Sequence, residues 1–162
     1  MIREDLKLEN QLCFRVHRLS RMFISLYQPL MTRLGITYPQ YLVLLALWES
    51  DALDYQQLAE RLGYSTGTLT PVIQRLEQMK LVRREKHPAD RRKTCVELTQ
   101  GGLSIKAEVE AMADRFSDAG LLAGRESIEE YKKCMDTLSA DLSKVAKENS
   151  NRKSTEENRR NK

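Results

Sequence analysis

The sequence predicts a mainly α fold with one small β-hairpin wing: a winged helix-turn-helix set between long N- and C-terminal helices. Three observations carry that prediction. Apolar residues step by threes and fours over most of the chain, which is the helical period. Two short helical stretches meet at Gly63-Tyr64-Ser65, as in a helix-turn-helix. Two short, partly alternating segments then flank a basic turn, as in a hairpin.

The first helix is expected from Leu6 to Leu34. Leu12, Val16, Leu19, Phe23, Leu26, Leu30 and Leu34 form one apolar seam, and Gly35 suits a left-handed C-cap. Thr37-Tyr38-Pro39-Gln40 has capping-box spacing and opens the second helix, with Tyr41, Leu44, Leu45 and Trp48 as its buried candidates. Asp54, with Gln57 three residues on, caps a third helix that Gly63 stops. Ser65 caps a fourth, running to about Met79.

Residues 81–86 and 93–98 then form the hairpin, with the basic turn His87-Pro88-Ala89-Asp90-Arg91-Arg92 at its tip. Within the second strand Thr94, Val96 and Leu98 read as the inward set, so Cys95 is expected to face outward as an incidental thiol. Thr99 caps a fifth helix to about Ala119, and Gly120 and Gly124 bracket a break. Ser127-Ile128-Glu129-Glu130 opens a sixth helix to about Ala146, with a second seam of Ile128, Tyr131, Met135, Leu138 and Leu142.

Two seams at opposite ends of one chain need a partner, which predicts a homodimer. Residues 1–146 are therefore expected as a single domain. Its dimerisation helices span about 6–34 and 100–146, and its winged helix-turn-helix about 37–98. The polar stretch 147–162 has no large apolar residue and is expected to be disordered.

Bulk composition narrows the function. The 27 Lys+Arg against 23 Asp+Glu leave a formal charge of +4, which is compatible with nucleic acid. No apolar run approaches membrane-spanning length, and the opening residues do not read as a signal peptide. The three cysteines are odd in number and scattered, which predicts a reducing cytoplasm. No metal-ligand spacing, nucleotide-binding glycine loop or nucleophilic triad is present, so no cofactor and no enzyme activity are expected.

The fourth helix has the make-up of a DNA reader. Leu69, Val72, Ile73 and Leu76 share one face, while Thr66, Thr70 and Gln74 step along another beside Arg75. Short hydroxyls permit close approach, and longer donors reach base edges or phosphates. Ser65, Thr68 and Pro71 complete the expected DNA-binding set on this helix, and Gly67 allows close packing or close approach. Lys86, Asp90, Arg91 and Arg92 belong to the hairpin, where arginines suit the negative potential of a narrow minor groove. The plain alternative is a solvated polar face and an ordinary charged turn.

Cys13 stands on the first helix, four residues before His17 and close in sequence to Arg15, Arg18 and Arg21. Positive neighbours favour the reactive thiolate. A free cysteine also serves as a small buried apolar residue, and that reading stays open. Tyr27 lies on roughly the same face as Cys13, but fourteen residues of helix span about 21 Å. If the two meet, Tyr27 comes from an antiparallel partner helix.

Over about residues 6–146 the chain resembles the MarR family of winged-helix repressors, and within it the organic hydroperoxide resistance repressors. The resemblance rests on Leu8-Glu9-Asn10-Gln11-Leu12-Cys13-Phe14, Ile36-Thr37-Tyr38-Pro39-Gln40-Tyr41, Gly67-Thr68-Leu69-Thr70-Pro71, and Asp90 with Arg92. It implies a homodimer that binds a palindromic operator on double-stranded DNA. The dimer would release that DNA when an organic hydroperoxide oxidises its reactive cysteine. It also implies that Tyr27 and Tyr38 of one subunit hydrogen-bond Cys13 of the other, and that Asp90 orients Arg92. The family often carries a tyrosine where this chain has His17. Some members use a second, resolving cysteine, for which Cys134 is the candidate here.

Two other readings compete. One is a repressor released by a noncovalent aromatic or lipophilic ligand held by Tyr27, Leu30, Ile36, Tyr38 and Trp48. The other is a thiol peroxidase acting through Cys13, which would leave the winged module unexplained.

Overall fold

The computed structural model describes residues 3–86, 90–111 and 125–160. The hairpin tip at 87–89, the fifth helix beyond residue 111 and the break at Gly120 and Gly124 lie outside the described residues. The chain forms two compact units, Met1–Met112 and Ala113–Lys162.

In the first unit, helices α1 (Leu12–Leu34), α2 (Tyr38–Glu49), α3 (Tyr55–Leu62), α4 (Thr66–Gln78) and α5 (Gln100–Ser104) accompany strands β1 (Leu53–Asp54), β2 (Val82–Lys86) and β3 (Thr94–Leu98). A further helical stretch, α6, covers residues 106–111. The fold is mostly helical with one small antiparallel sheet of strand order β1-β3-β2. The sheet has one strand more than the expected hairpin.

Local capping sets the boundaries. Gly35 and Gly63 adopt the left-handed conformation, both at φ 65°, and end α1 and α3. Thr37 with Gln40, and Asp54 with Gln57, form reciprocal capping boxes. Ser65 Oγ accepts from Thr68 N at 3.1 Å to start α4. Thr99 Oγ1 accepts from Gly102 N at 3.2 Å to start α5.

Three helices differ from the sequence reading. Helix α1 begins at Leu12, not Leu6. Two 3-10 turns, Glu4–Leu6 and Leu8–Asn10, precede it, separated by extended backbone at Lys7. Asn10 Nδ2 donates to the Glu4 carbonyl at 2.8 Å, and Gln11 Nε2 donates to that of Asp5, so side chains hold carbonyls that a continuous helix would use. The fifth helix is interrupted at Ile105. There the Gly102 carbonyl accepts from Trp48 Nε1 at 3.0 Å, which competes with the helical ladder. In the second unit, helix α7 runs from Arg125 to Arg160. It therefore starts before Ser127 and continues through the stretch from Lys147 expected to be disordered. That stretch holds no glycine or proline, and Glu, Lys and Arg are good helix formers.

The core lies between α2, α3, α4 and the sheet. Val43, Leu44, Leu47, Leu58, Leu69, Ile73, Leu76, Val82 and Val96 are buried there. Helix α2 is buried nearly all round, with Leu45 and Trp48 half-buried. Helix α1 is anchored only at its C-terminal end, where Leu30 and Met31 are buried. Its N-terminal seam of Leu12, Val16, Leu19, Met22, Phe23 and Leu26 is exposed in the single chain. On α7, Tyr131, Met135, Leu142 and Val145 are exposed as well.

Cys95 is the clearest correction. It is buried, not outward-facing. Strand β3 is the middle strand, with Asp54 and Glu85 opposite Cys95 on either side. The short thiol sits beneath longer charged neighbours, and burial, followed by Asp54 and Glu97, raises its pKa.

Candidate DNA interface and thiol site

Helix α4 turns Leu69, Ile73 and Leu76 into the core and leaves Ser65, Thr66, Gly67, Thr68, Pro71, Gln74 and Arg75 exposed. Thr70 is half-buried, and its hydroxyl donates back to the Thr66 carbonyl at 2.8 Å. Arg75 Nη1 donates to Gln78 Oε1 at 3.2 Å. A methyl group added at Gly67 would meet only Ser65 Oγ, at 3.7 Å. Packing within the chain therefore does not require a glycine there.

The hairpin carries two kinds of cation. Arg83 is paired with Glu97 at 2.7 Å, and Arg84 with Glu77 at 2.6 Å, so both brace the module internally. Lys86, Arg91 and Arg92 are exposed towards the tip. The Arg92 side chain is 93% exposed. Asp90 Oδ1 accepts from Arg92 N at 3.0 Å and from its Nε at 3.3 Å. The carboxylate thus folds the turn and steers the guanidinium together.

Asp54 ties the hairpin to α3. Its carboxylate accepts from Gln57 N at 2.9 Å and from Lys93 Nζ at 2.9 Å. Those two bonds, the backbone one first, hold its pKa below the ordinary carboxylate value.

Cys13 is exposed in the first turn of α1, and His17 is exposed one turn later. His17 shares an open groove with Phe14, Arg18, Arg21, Met22 and Ser25. At the other end of the same helix, Tyr27 packs at a tilt against Tyr38 of α2, with 5.8 Å between ring centroids. The structure thus brings Tyr27 and Tyr38 together and keeps Cys13 of the same chain at the far end of α1. Tyr41 completes a trio, 5.5 Å from Tyr27 and 5.9 Å from Tyr38. Burial, then Tyr27 and Tyr38, push its phenol up to about 12. Burial also raises the pKa of Tyr38, followed by Tyr27 and Tyr64. Sequence reading placed Tyr41 in the core and Tyr64 in the turn of the helix-turn-helix, with a site role for neither. The helical spacing of Tyr38 and Tyr41 was the available signal for the first.

Cys134 is exposed on α7. Leu30 and Ile36, named for a noncovalent ligand, are buried in the core, and Trp48 gives its N–H to Gly102. Among the described residues, no group of three or more His, Cys, Asp or Glu could hold a metal ion, and no helix is long and apolar enough to cross a membrane.

Comparison with known proteins places this geometry among relatives. The MarR family pattern matches residues 36–94. The organic hydroperoxide resistance transcriptional regulator of Bacillus subtilis is 44% identical over 103 residues, covering 64% of this chain and 70% of that protein. The regulator MgrA of Staphylococcus aureus is 31% identical over 117 residues, covering 72% and 80%. Among solved structures, reduced AbfR bound to DNA superimposes with a TM-score of 0.73 at 35% identity, covering 90% of this chain and 99% of that one. AbfR in its disulfide form gives a TM-score of 0.57 at 35% identity, covering 89% and 95%.

Proposed function

The chain belongs to the MarR family of transcriptional regulators, and we propose that it senses organic hydroperoxides through Cys13 and releases operator DNA when that thiol is oxidised. MarR-family regulators bind DNA as dimers and are not enzymes. The observation that carries the sensing reading is the layout of α1. An exposed thiol stands in its first turn, a tyrosine trio at its far end, and an exposed apolar seam between them. Antiparallel pairing of two such helices covers the seam and carries Cys13 of one subunit to Tyr27 and Tyr38 of the other.

The chemistry is a two-electron oxidation. The Cys13 thiolate attacks the terminal oxygen of the hydroperoxide. The S–O bond forms as the O–O bond breaks, and the alkoxide leaves and takes up a proton as the alcohol. Sulfur is left as the sulfenic acid. A helix N-terminus favours an anion such as the thiolate. Arg18 and Arg21, exposed further along the same helix, add positive charge. The new oxygen alters the hydrogen bonds that Tyr27 and Tyr38 make with the sulfur, and so the spacing of the two α4 helices. Cys134 is the candidate for resolving the sulfenic acid as a disulfide, with loss of water.

In the DNA-bound state α4 enters the major groove through Ser65, Thr66, Thr68, Thr70, Pro71, Gln74 and Arg75. The hairpin brings Arg91 and Arg92 to the flanking minor groove, with Asp90 and Lys86 beside them. The reading is tested by operator binding in fluorescence anisotropy, on wild type and Cys13→Ser, before and after one equivalent of an organic hydroperoxide. Release by wild type and retention by the variant are expected. Equal behaviour of the two would remove Cys13 from the switch and favour a noncovalent ligand.

A further inference from the structure

Two ion pairs join the hairpin to the helices at different heights. Near its base, Arg84 of β2 meets Glu77 of α4 at 2.6 Å. Further towards the tip, Lys93 reaches back to Asp54, the N-cap of α3, at 2.9 Å. Strand β1 pairs with β3 only at Leu53–Val96 and Asp54–Cys95. Outward of Cys95 the ladder continues between β2 and β3, where Lys86 faces Thr94. Asp54 and Lys93 line one open groove with Tyr55, Gln56, Arg84 and Thr94, so the join between hairpin and α3 is polar there.

Each of the two residues is held twice. Asp54 is buried and spends one oxygen on Gln57 N, which caps α3, and the other on Lys93 Nζ. Lys93 N donates to the Asp90 carbonyl at 2.9 Å, which closes the turn that carries Arg91 and Arg92. The Asp90 carboxylate accepts from Arg92 N and Nε at 3.0 and 3.3 Å. A continuous row of bonded groups thus runs from the first turn of α3 to the Arg92 guanidinium. We propose that Lys93 and Asp54 are positioning residues that aim the wing arginines at DNA. The ion pair fixes the outer half of the hairpin relative to the helix-turn-helix, so that α4 and the wing meet one duplex in a set geometry.

This proposal rests on the placement of the wing against DNA given above, and its test separates the two. Asp54→Asn keeps a side-chain oxygen for the helix cap and removes the charge that holds Lys93. Lys93→Met breaks the same pair from its exposed end, and Lys93→Arg retains it. Operator affinity is measured by anisotropy at one salt concentration. Each variant is made in wild type and in the double variant Arg91→Ala, Arg92→Ala, with thermal melts confirming that all are folded at the assay temperature. Loss of one partly exposed ion pair is expected to cost about threefold per wing, and so about tenfold for the two wings of a dimer. Asp54→Asn and Lys93→Met should both show that loss in wild type and less than about a twofold effect without the two arginines, while Lys93→Arg binds like wild type. Removing a negative charge would by itself strengthen binding to phosphates, so unchanged or tighter binding by Asp54→Asn overturns the proposal. Equal losses in both backgrounds overturn it too, because the pair would then act on the fold or on DNA without the arginines. If the double arginine variant binds like wild type, the wing does not touch DNA and both readings fail.

Discussion

Replacing Arg92 by alanine isolates the electrostatic part of the proposed DNA contact. The side chain is 93% exposed and touches Asp90 on its own turn, so its removal leaves the core intact. In a dimer the substitution deletes two cations. Each phosphate contact contributes about −0.9 to the slope of log K against log salt, so the slope should become shallower by about 1.8. Between about 50 and 200 mM salt that difference makes the wild-type affinity fall roughly tenfold further than that of the variant. Anisotropy titrations of a labelled operator at four salt concentrations measure the slope directly, with thermal unfolding as a control for the fold. Asp90→Ala is the contrasting variant. It leaves the cation in place and removes the group that aims it, so binding should weaken without any loss of slope. An unchanged slope in Arg92→Ala would refute the placement of this arginine in the DNA interface, whatever happened to the affinity.

Gly67→Ala should raise stability by about 0.5–1 kcal/mol, because the added methyl meets no atom closer than 3.7 Å and alanine favours a helix; the same variant should lose operator affinity if DNA approaches closely there, which urea unfolding and anisotropy read separately. Gly102→Ala should be destabilised by about 3 kcal/mol, since its methyl would fall 2.2 Å from the Leu81 carbonyl, and an unchanged urea midpoint would contradict the packing described. The pKa of Asp54 is lowered, so its contribution to stability is full above the ordinary carboxylate value of about 3.9 and is lost as pH falls through the lower folded value. The stability gap between wild type and Asp54→Asn should therefore narrow on acidification and stay constant above about pH 6; a gap that widens in acid would reverse the assignment. After peroxide treatment, a non-reducing gel should show a crosslinked dimer that disappears in both Cys13→Ser and Cys134→Ser if Cys134 resolves the oxidised thiol.

Helix ends were the most legible part of the sequence. Thr37, Asp54, Ser65 and Thr99 act on backbone groups only two or three residues away, and Gly35 and Gly63 mark their own left-handed turns. Features set by distant residues were harder to read. Leu6 and Leu8 continue the apolar pattern of α1, but side chains of Asn10 and Gln11 capture the carbonyls that would extend the helix. Strand β1 is two residues long, too short for any period, and exists because β3 offers an edge to pair with. The alternation rule placed Cys95 outside because it supposes one solvated face, whereas the middle strand of a small sheet is covered by its neighbours. In the candidate site, Tyr27 and Tyr38 were named from the sequence, and their contact was supplied by the packing of α1 on α2.

The buried Cys95 gives the protein an internal clock. Two of its three thiols lie at the surface of the chain, and the third is sealed inside the sheet that carries the wing. In a protein lacking Cys13 and Cys134, a thiol reagent can reach sulfur only when the groups that cover Cys95 on β3 move aside. The labelling rate then counts those openings in the native state. Measured with and without operator, it would report how tightly DNA holds the hairpin shut, without a probe attached to either molecule.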